Sequence, residues 1–290
     1  MAMHSAASSR FRTFLILGRV SNLPTVWSDC LAGWWLSGGG SFSGLVRVAI
    51  SASFLYVGGM FLNDAFDVNF DRTQRPTRPI PAGLISERAV WGWGFGWLLI
   101  GLAGLVSLGR QTAILSILLA FCILLYNAIH KIVVLAPAVM GSCRFLLYLI
   151  AGSIGLTGMN GEVVWKGLAL GFYVVGLSCL ARKESARVKI QYWPAAFMLA
   201  PLCIAGLFDD GADKGAATLW AIVLIFWVAY TFWQTVGREH PNIGQAVSRL
   251  LAGIVLVDLL AMASFSHFAI PVLVGCLVLA IALQRYIPAT

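Results

Sequence analysis

The chain has 290 residues, of which 59% are hydrophobic and only 11% charged, and its net charge is +8. Soluble domains run near a quarter charged, so a water-soluble enzyme, a disordered chain, a collagen-like repeat and a disulfide-stapled scaffold are all excluded. About nine spanning helices of about 20 residues each would nearly use up the length. The basic excess then reads first as a topology signal, and no nucleic-acid partner is expected.

Apolar runs fall at 14–36, 46–66, 89–108, 112–129, 134–157, 163–181, 194–208, 216–236 and 247–286. The last is too long for one span and is divided near Ser264, Ser266 and His267. The expectation is an all-α integral membrane bundle of about nine helices, one multi-pass domain over 1–290, with 1–12 a short tail. One set of loops holds twelve Lys and Arg residues, from Arg10 and Arg12 through Arg72, Arg75, Arg78 and Lys131 to Arg182–Lys189 and Arg238; the other set holds five. The rich set predicts the cytoplasmic side, with the N-terminus inside and, for nine helices, residues 287–290 outside. Small-xxx-small spacings such as Gly92/Gly96 and Gly167/Gly171 predict close helix packing. The six cysteines are scattered in apolar segments without a CxxC pair and read as small buried hydrophobes.

Charges at a membrane mouth are costly and point to function. At the end of the second run stand Asn63, Asp64, Asp67, Asp71 and Arg72. Asp64, Asp67 and Asp71, at i, i+3 and i+7, share one face of a helix. Carboxylates so stacked repel one another unless cations hold them, and hard oxygen donors suit Mg²⁺, which shares its shell with phosphate oxygens. Arg72, Arg75 and Arg78 follow within a proline-stiffened loop, Arg75-Pro76-Thr77-Arg78-Pro79-Ile80-Pro81. Guanidinium groups fork onto phosphate. Metal-binding acids beside phosphate-binding arginines at a membrane surface suggest a diphosphate with an apolar tail.

Asn63-Asp64-x-x-Asp67-x-x-x-Asp71 followed by Arg75-Pro76-x-Arg78-Pro79 resembles the first aspartate-rich motif of the UbiA superfamily of intramembrane prenyltransferases. The resemblance spans roughly 14–285. It implies a helical bundle around a central cavity, a cytoplasmic polar site, and Mg²⁺-dependent transfer of a prenyl group from an isoprenoid diphosphate. Within it, Asp64, Asp67 and Asp71 would hold the metal, and Asn63, Arg72 and Arg78 would contact the donor. Tyr126-Asn127-Ala128-Ile129-His130-Lys131 looks like the family's tyrosine-to-lysine segment; Lys131 then contacts diphosphate or simply anchors the loop, and Phe66, Phe70 or Tyr126 shields an allylic cation. His130 reads as an interfacial histidine or an acid/base near the site. Arg19 and Asn22-Leu23-Pro24 resemble the early asparagine region, with Asn22 either on the metal or substrate or in an inter-helix hydrogen bond. Arg144, inside a span, either reads substrate or pairs with an acid such as Glu184 or Asp258, the latter being taken as the one acid deep in an apolar run.

The pattern breaks at the family's second aspartate-rich motif, where this chain has Arg182-Lys183-Glu184-Ser185. Arg182 and Lys183 would stand in for a second metal, with Glu184 retaining one contact; otherwise only binding survives. The expected function is prenyl transfer to an unidentified aromatic, small or lipid acceptor by a multi-pass protein of the bilayer. The alternative is a non-catalytic binder or transporter of an isoprenoid or lipid diphosphate. An ion-coupled transporter is the weaker rival, because its acids should lie at the midplane.

Overall fold

In the computed structural model, residues 2–186, 193–208, 214–237, 241–263 and 269–289 are described. Among them there is no strand. The helices are α1 (Ala2–Leu17), α2 (Leu23–Leu36), α3 (Phe42–Phe66), α4 (Val68–Gln74), α5 (Glu87–Val106), α6 (Arg110–Ile129) and α7 (Ala136–Gly152). They continue with α8 (Gly161–Ala186), α9 (Ala200–Phe208), α10 (Lys214–Thr231), α11 (Ile243–Ala252), α12 (Ile254–Ala261) and α13 (Ala269–Gln284). Among the described residues six segments are long and apolar enough to cross a membrane: α3, α5, α6, most of α8, α10 with its extension to Val236, and α11 with α12. Three shorter apolar helices, Ala136–Gly152, Ala196–Leu207 and Ala269–Gln284, accompany them.

The first apolar run is broken. A 3₁₀ turn over Val20–Asn22 separates α1 from α2, and Pro24 occupies the first turn of α2, where its missing N–H costs nothing. Arg19 precedes that turn at φ 42°, the one non-glycine left-handed residue among those described. Such a conformation persists only where surrounding contacts enforce it, and here the guanidinium is held by the acid motif.

Buried apolar residues form two main clusters. One joins α8 and α10–α13; the other joins α3, α5 and α6; α2 and α7 contribute to both and so form the middle of the bundle. Contact there is close because glycine faces backbone. A Cβ at Gly33 of α2 would stand 2.6 Å from the Tyr148 carbonyl of α7, and one at Gly141 of α7 would stand 2.5 Å from that of Gly171 on α8. The expected pair Gly92/Gly96 does not pack, since nothing lies near either; Gly94 and Gly101, on the other face of α5, meet Leu62 and Ser51 of α3 instead.

Among the described residues, the last apolar run is divided into α11, α12 and α13. Asn22 Nδ2 donates to the Ala289 carbonyl at 3.0 Å, and Gln284 Nε2 approaches Asn22 Oδ1 at 3.4 Å. Gln284 and Ala289 therefore lie against the break between α1 and α2, and Ala289 borders the inner cavity described below. Ser264, Ser266 and His267 lie outside the described residues.

Candidate active site

The acid motif does not continue as one straight helix. It is interrupted at Asp67, which joins α3 to α4. Asp64 closes α3, and Asp71 lies in α4. The Pro76–Pro81 loop then folds back over the motif. Arg78 Nη1 lies 3.1 Å from Asp64 Oδ1, and Arg19 Nη2 reaches the same oxygen at 3.2 Å from the break after α1. Arg19 Nη2 also donates to Asn63 Oδ1 at 3.1 Å, while Asn63 Nδ2 donates to Asn127 Oδ1 and Asn127 Nδ2 to the Gly59 carbonyl. This chain of side-chain bonds fixes α1, α3 and α6 together around a buried carboxylate.

Asp67 has a different set of partners. Lys131 Nζ stands 2.7 Å and His130 Nε2 3.2 Å from its Oδ1. Burial alone would raise the Asp67 carboxyl, but the hydrogen bonds from His130 and Lys131 outweigh it and hold the group below the usual carboxylate value. Lys131 lies 3.8 Å from the centre of the Phe70 ring, and His130 stacks on Tyr126. Asp71 is buried, and its Oδ1 has no hydrogen-bond partner; burial pushes its carboxyl up, and Arg78 opposes that only in part. Burial, with Arg19 close by, lowers the Arg78 guanidinium from its ordinary value.

Over this floor opens a cavity of about 470 Å³ lined by Arg19, Asn63, Asp67, Phe70, Arg75, Arg78, Tyr126, His130, Lys131 and Arg182. Five arginine and lysine side chains in one hollow, against the carboxylates of Asp64 and Asp67, favour an anionic ligand there. Arg182 holds its place by donating to the carbonyls of Val133 and Val134 at 2.7 and 2.9 Å. A second, mostly apolar cavity adjoins it, sharing Arg19, Met60, Tyr126, Met140 and Ala181, and runs inward past Leu55, Ile123, Leu177 and Ile254 to Asn22, Tyr56 and Arg144.

Most of the residues singled out in the sequence converge here, with four exceptions. Arg72 points away, paired with Glu87 at 3.1 Å on the exposed surface. Phe66 is exposed and packs edge-on against Trp91, so the aromatic faces of the cavity are Phe70 and Tyr126. Asn22 is occupied by Tyr56 and Ala289. Arg144 pairs with Asp29 rather than with Asp258: its Nη1 lies 2.5 Å from Asp29 Oδ2, and Nη2 donates to Thr25 Oγ1. The side chains of Lys183 and Glu184 lie outside the described residues. The sequence reading gave too little weight to Arg19, Arg75 and His130, and missed Asn127 and Asp29. Asp29 is an acid in the apolar run 14–36, and that alone was signal enough.

Among the described residues no three acidic, His or Cys side chains converge to form a ready-made metal cage. Arginine and lysine stand between the acids instead. The donor set nevertheless suits a hard divalent cation that takes the rest of its shell from phosphate oxygens, and the orphaned Asp71 Oδ1 is a ligand without an assignment.

Residues 24–289 match the family model of the UbiA prenyltransferase family. The chain belongs to the UbiA prenyltransferase family. It is an intramembrane prenyltransferase of that family. It is 27% identical over 218 residues, 73% of this chain and 76% of the other, to the digeranylgeranylglyceryl phosphate synthase of Methanopyrus kandleri. The synthase of the same name from Ignicoccus hospitalis is 30% identical over 158 residues, 54% of this chain and 52% of the other. Two solved structures share the fold. A UbiA homolog from Aeropyrum pernix K1 superposes with a TM-score of 0.62 at 20% identity, covering 83% of this chain and 96% of that one. A homolog from Archaeoglobus fulgidus bound to GPP and Mg²⁺ superposes with a TM-score of 0.54 at 16% identity, covering 94% and 97%.

Proposed function

We propose that this family member takes an isoprenoid diphosphate as donor, with the diphosphate in the cationic cavity and the prenyl chain in the adjoining apolar one. The observation that carries this reading is the shared wall: Arg19, Tyr126 and Met140 border both hollows, so a single molecule with a charged head and a greasy tail fills them together. Neither a free phosphate nor a plain lipid would use both.

In this reading Arg75, Arg78, Lys131 and Arg182 bind the diphosphate and stabilise the charge it gains as the carbon–oxygen bond ionises. Asp64, Asp67 and Asp71 would hold Mg²⁺, which when bound neutralises the leaving group. Arg19 and Asn63 position Asp64. Phe70 and Tyr126 shield the allylic carbon, and the apolar bundle keeps out water that would quench it. Arg182 takes the place of a second metal as a fixed cation, which accounts for the single acid, Glu184, at the end of α8. The site faces the cytoplasm, on the strength of the loop charges.

The acceptor is a small or lipid nucleophile. The relatives' name makes a prenylated glycerol phosphate the first to offer. The test is diphosphate release from geranyl, farnesyl and geranylgeranyl diphosphate by protein in nanodiscs, with and without Mg²⁺ and with each acceptor. Binding without release under every acceptor would favour a carrier of the diphosphate.

A further inference from the structure

Deep in the bundle, beyond the inner cavity, lies a polar cluster that the transfer chemistry does not use. Asp29 of α2 and Asp258 of α12 are both fully buried, and their partners Arg144 and Tyr148 stand one turn apart on α7, which brings the two carboxyl groups side by side. Asp29 Oδ2 is taken by Arg144 Nη1 at 2.5 Å. Asp258 Oδ1 accepts a hydrogen bond from the Tyr148 hydroxyl, while Ser28 Oγ donates to the Thr25 carbonyl. One oxygen of each carboxyl is left over: Asp29 Oδ1 and Asp258 Oδ2 are buried and have no donor.

The charges do not balance. Two carboxylates face one guanidinium. Among the described residues, the other titratable side chains around the cluster are Cys30 of α2, Tyr56 of α3 and Cys276 of α13, none of them a cation. The nearest lysine towards the end of α12, Lys166, is engaged with Glu162 at 3.3 Å and the Ala261 carbonyl at 2.8 Å. Two adjacent buried carboxylates without a second cation would repel at low dielectric by far more than a fold tolerates. Two orphaned acceptor oxygens on neighbouring carboxyls also lack the one thing a hydrogen bond between them needs.

We infer that Asp29 and Asp258 form a proton-binding site: a single proton, carried on Asp258 Oδ2, is donated to Asp29 Oδ1. Asp258 is the acid of the pair because Asp29 has the guanidinium, while Asp258 has only the Tyr148 hydroxyl. This one proton satisfies both orphaned oxygens and makes the Asp29–Asp258–Arg144 triad neutral. Arg144 is thereby a positioning residue, pinned on the inner cavity wall with its charge cancelled, so an uncharged hydrocarbon chain can lie against it. The proton assignment itself does not depend on which reaction the protein performs.

The experiment is infrared difference spectroscopy of the full chain in nanodiscs at neutral pH, in a buffer whose only monovalent cation is choline. The carbonyl-stretch band of a protonated carboxylic acid is expected. It should shift on ¹³C-aspartate labelling of the wild-type chain, which requires no variant. It should vanish in Asp258→Asn and survive in Asp71→Asn. Asp258→Asn should also keep the wild-type melting midpoint, because its amide supplies the donor that Asp29 Oδ1 needs, whereas Asp29→Asn should lower it by stranding Arg144. Absence of a label-sensitive band overturns the proposal. So does a wild-type midpoint that rises with Na⁺ or K⁺ while Asp258→Asn is indifferent, which would place a metal cation between the two acids.

Discussion

Arg78 folds back from the proline loop to place its Nη1 3.1 Å from Asp64 Oδ1, fourteen residues earlier in the chain. The first acid of the motif is thus held by the same arginine that faces the cavity, and Arg19 holds it from the other side. Removing the acid strands two cations, and removing either cation loosens the acid. Asp64→Ala should therefore reduce diphosphate release by at least about a hundredfold, the scale of losing a main electrostatic element of a transition state. Steady-state release assays on folded, monodisperse protein check this.

Arg72 and Arg78 give a contrasting pair. They are equally arginine and six positions apart, yet only Arg78 lines the cavity. Arg72 is in an exposed ion pair with Glu87, of a kind worth about 0–1 kcal/mol. Arg72→Ala should leave diphosphate affinity within about twofold, and Arg78→Ala should weaken it by about tenfold, the scale of one charge-assisted hydrogen bond. Equal effects would place the diphosphate elsewhere. Direct binding by calorimetry separates the outcomes.

Arg182→Ala should weaken donor binding by about tenfold or more as well, and flatten its response to Mg²⁺ less than Asp67→Ala does, because a fixed cation and a metal ligand act differently. A Mg²⁺ titration of binding in the two variants decides. Unchanged affinity in Arg182→Ala would reduce this residue to a cap on the Val133 and Val134 carbonyls.

The acid limb of stability should depend on Asp67. Its folded value lies below the ordinary 3.8, through His130 and Lys131 and against burial. A depressed carboxyl contributes stability above its unfolded value, and that contribution is lost as pH falls through the folded one. Asp67→Asn should therefore lower the melting midpoint at neutral pH and leave it less sensitive to pH below about 4. Thermal unfolding in detergent across that range is the check.

Helix packing supplies a control independent of chemistry. Gly141→Leu drives a side chain into the Gly171 carbonyl, and overpacking of this kind costs about 1–3 kcal/mol or more. Gly92→Leu, where nothing lies near, should be neutral. Melting midpoints of the two proteins compare them.

The fold class was legible because hydrophobicity so uniform has no soluble solution, and the donor half of the site was legible because acids and arginines recur at short, regular spacing. What was not legible is how residues far apart in the chain meet. Arg144 and Asp29 are 115 positions apart, and no local pattern selects Asp29 over the Glu184 and Asp258 that were named. Arg72 and Arg78 look alike in sequence, and only the fold of the proline loop separates them. His130 read as interfacial because a terminal histidine next to a lysine usually is; its contact with Asp67 depends on α6 packing beside the end of α3.

The central claim, that one prenyl diphosphate spans the cationic and apolar cavities and ionises over the acid motif, is tested most directly by diphosphate release. Wild-type and Asp64→Ala protein in nanodiscs are given geranylgeranyl diphosphate, Mg²⁺ and a glycerol phosphate lipid acceptor. The account predicts Mg²⁺-dependent release and a prenylated acceptor with the wild type, and neither with the variant. Release that persists undiminished in Asp64→Ala, or that ignores Mg²⁺ altogether, would contradict it.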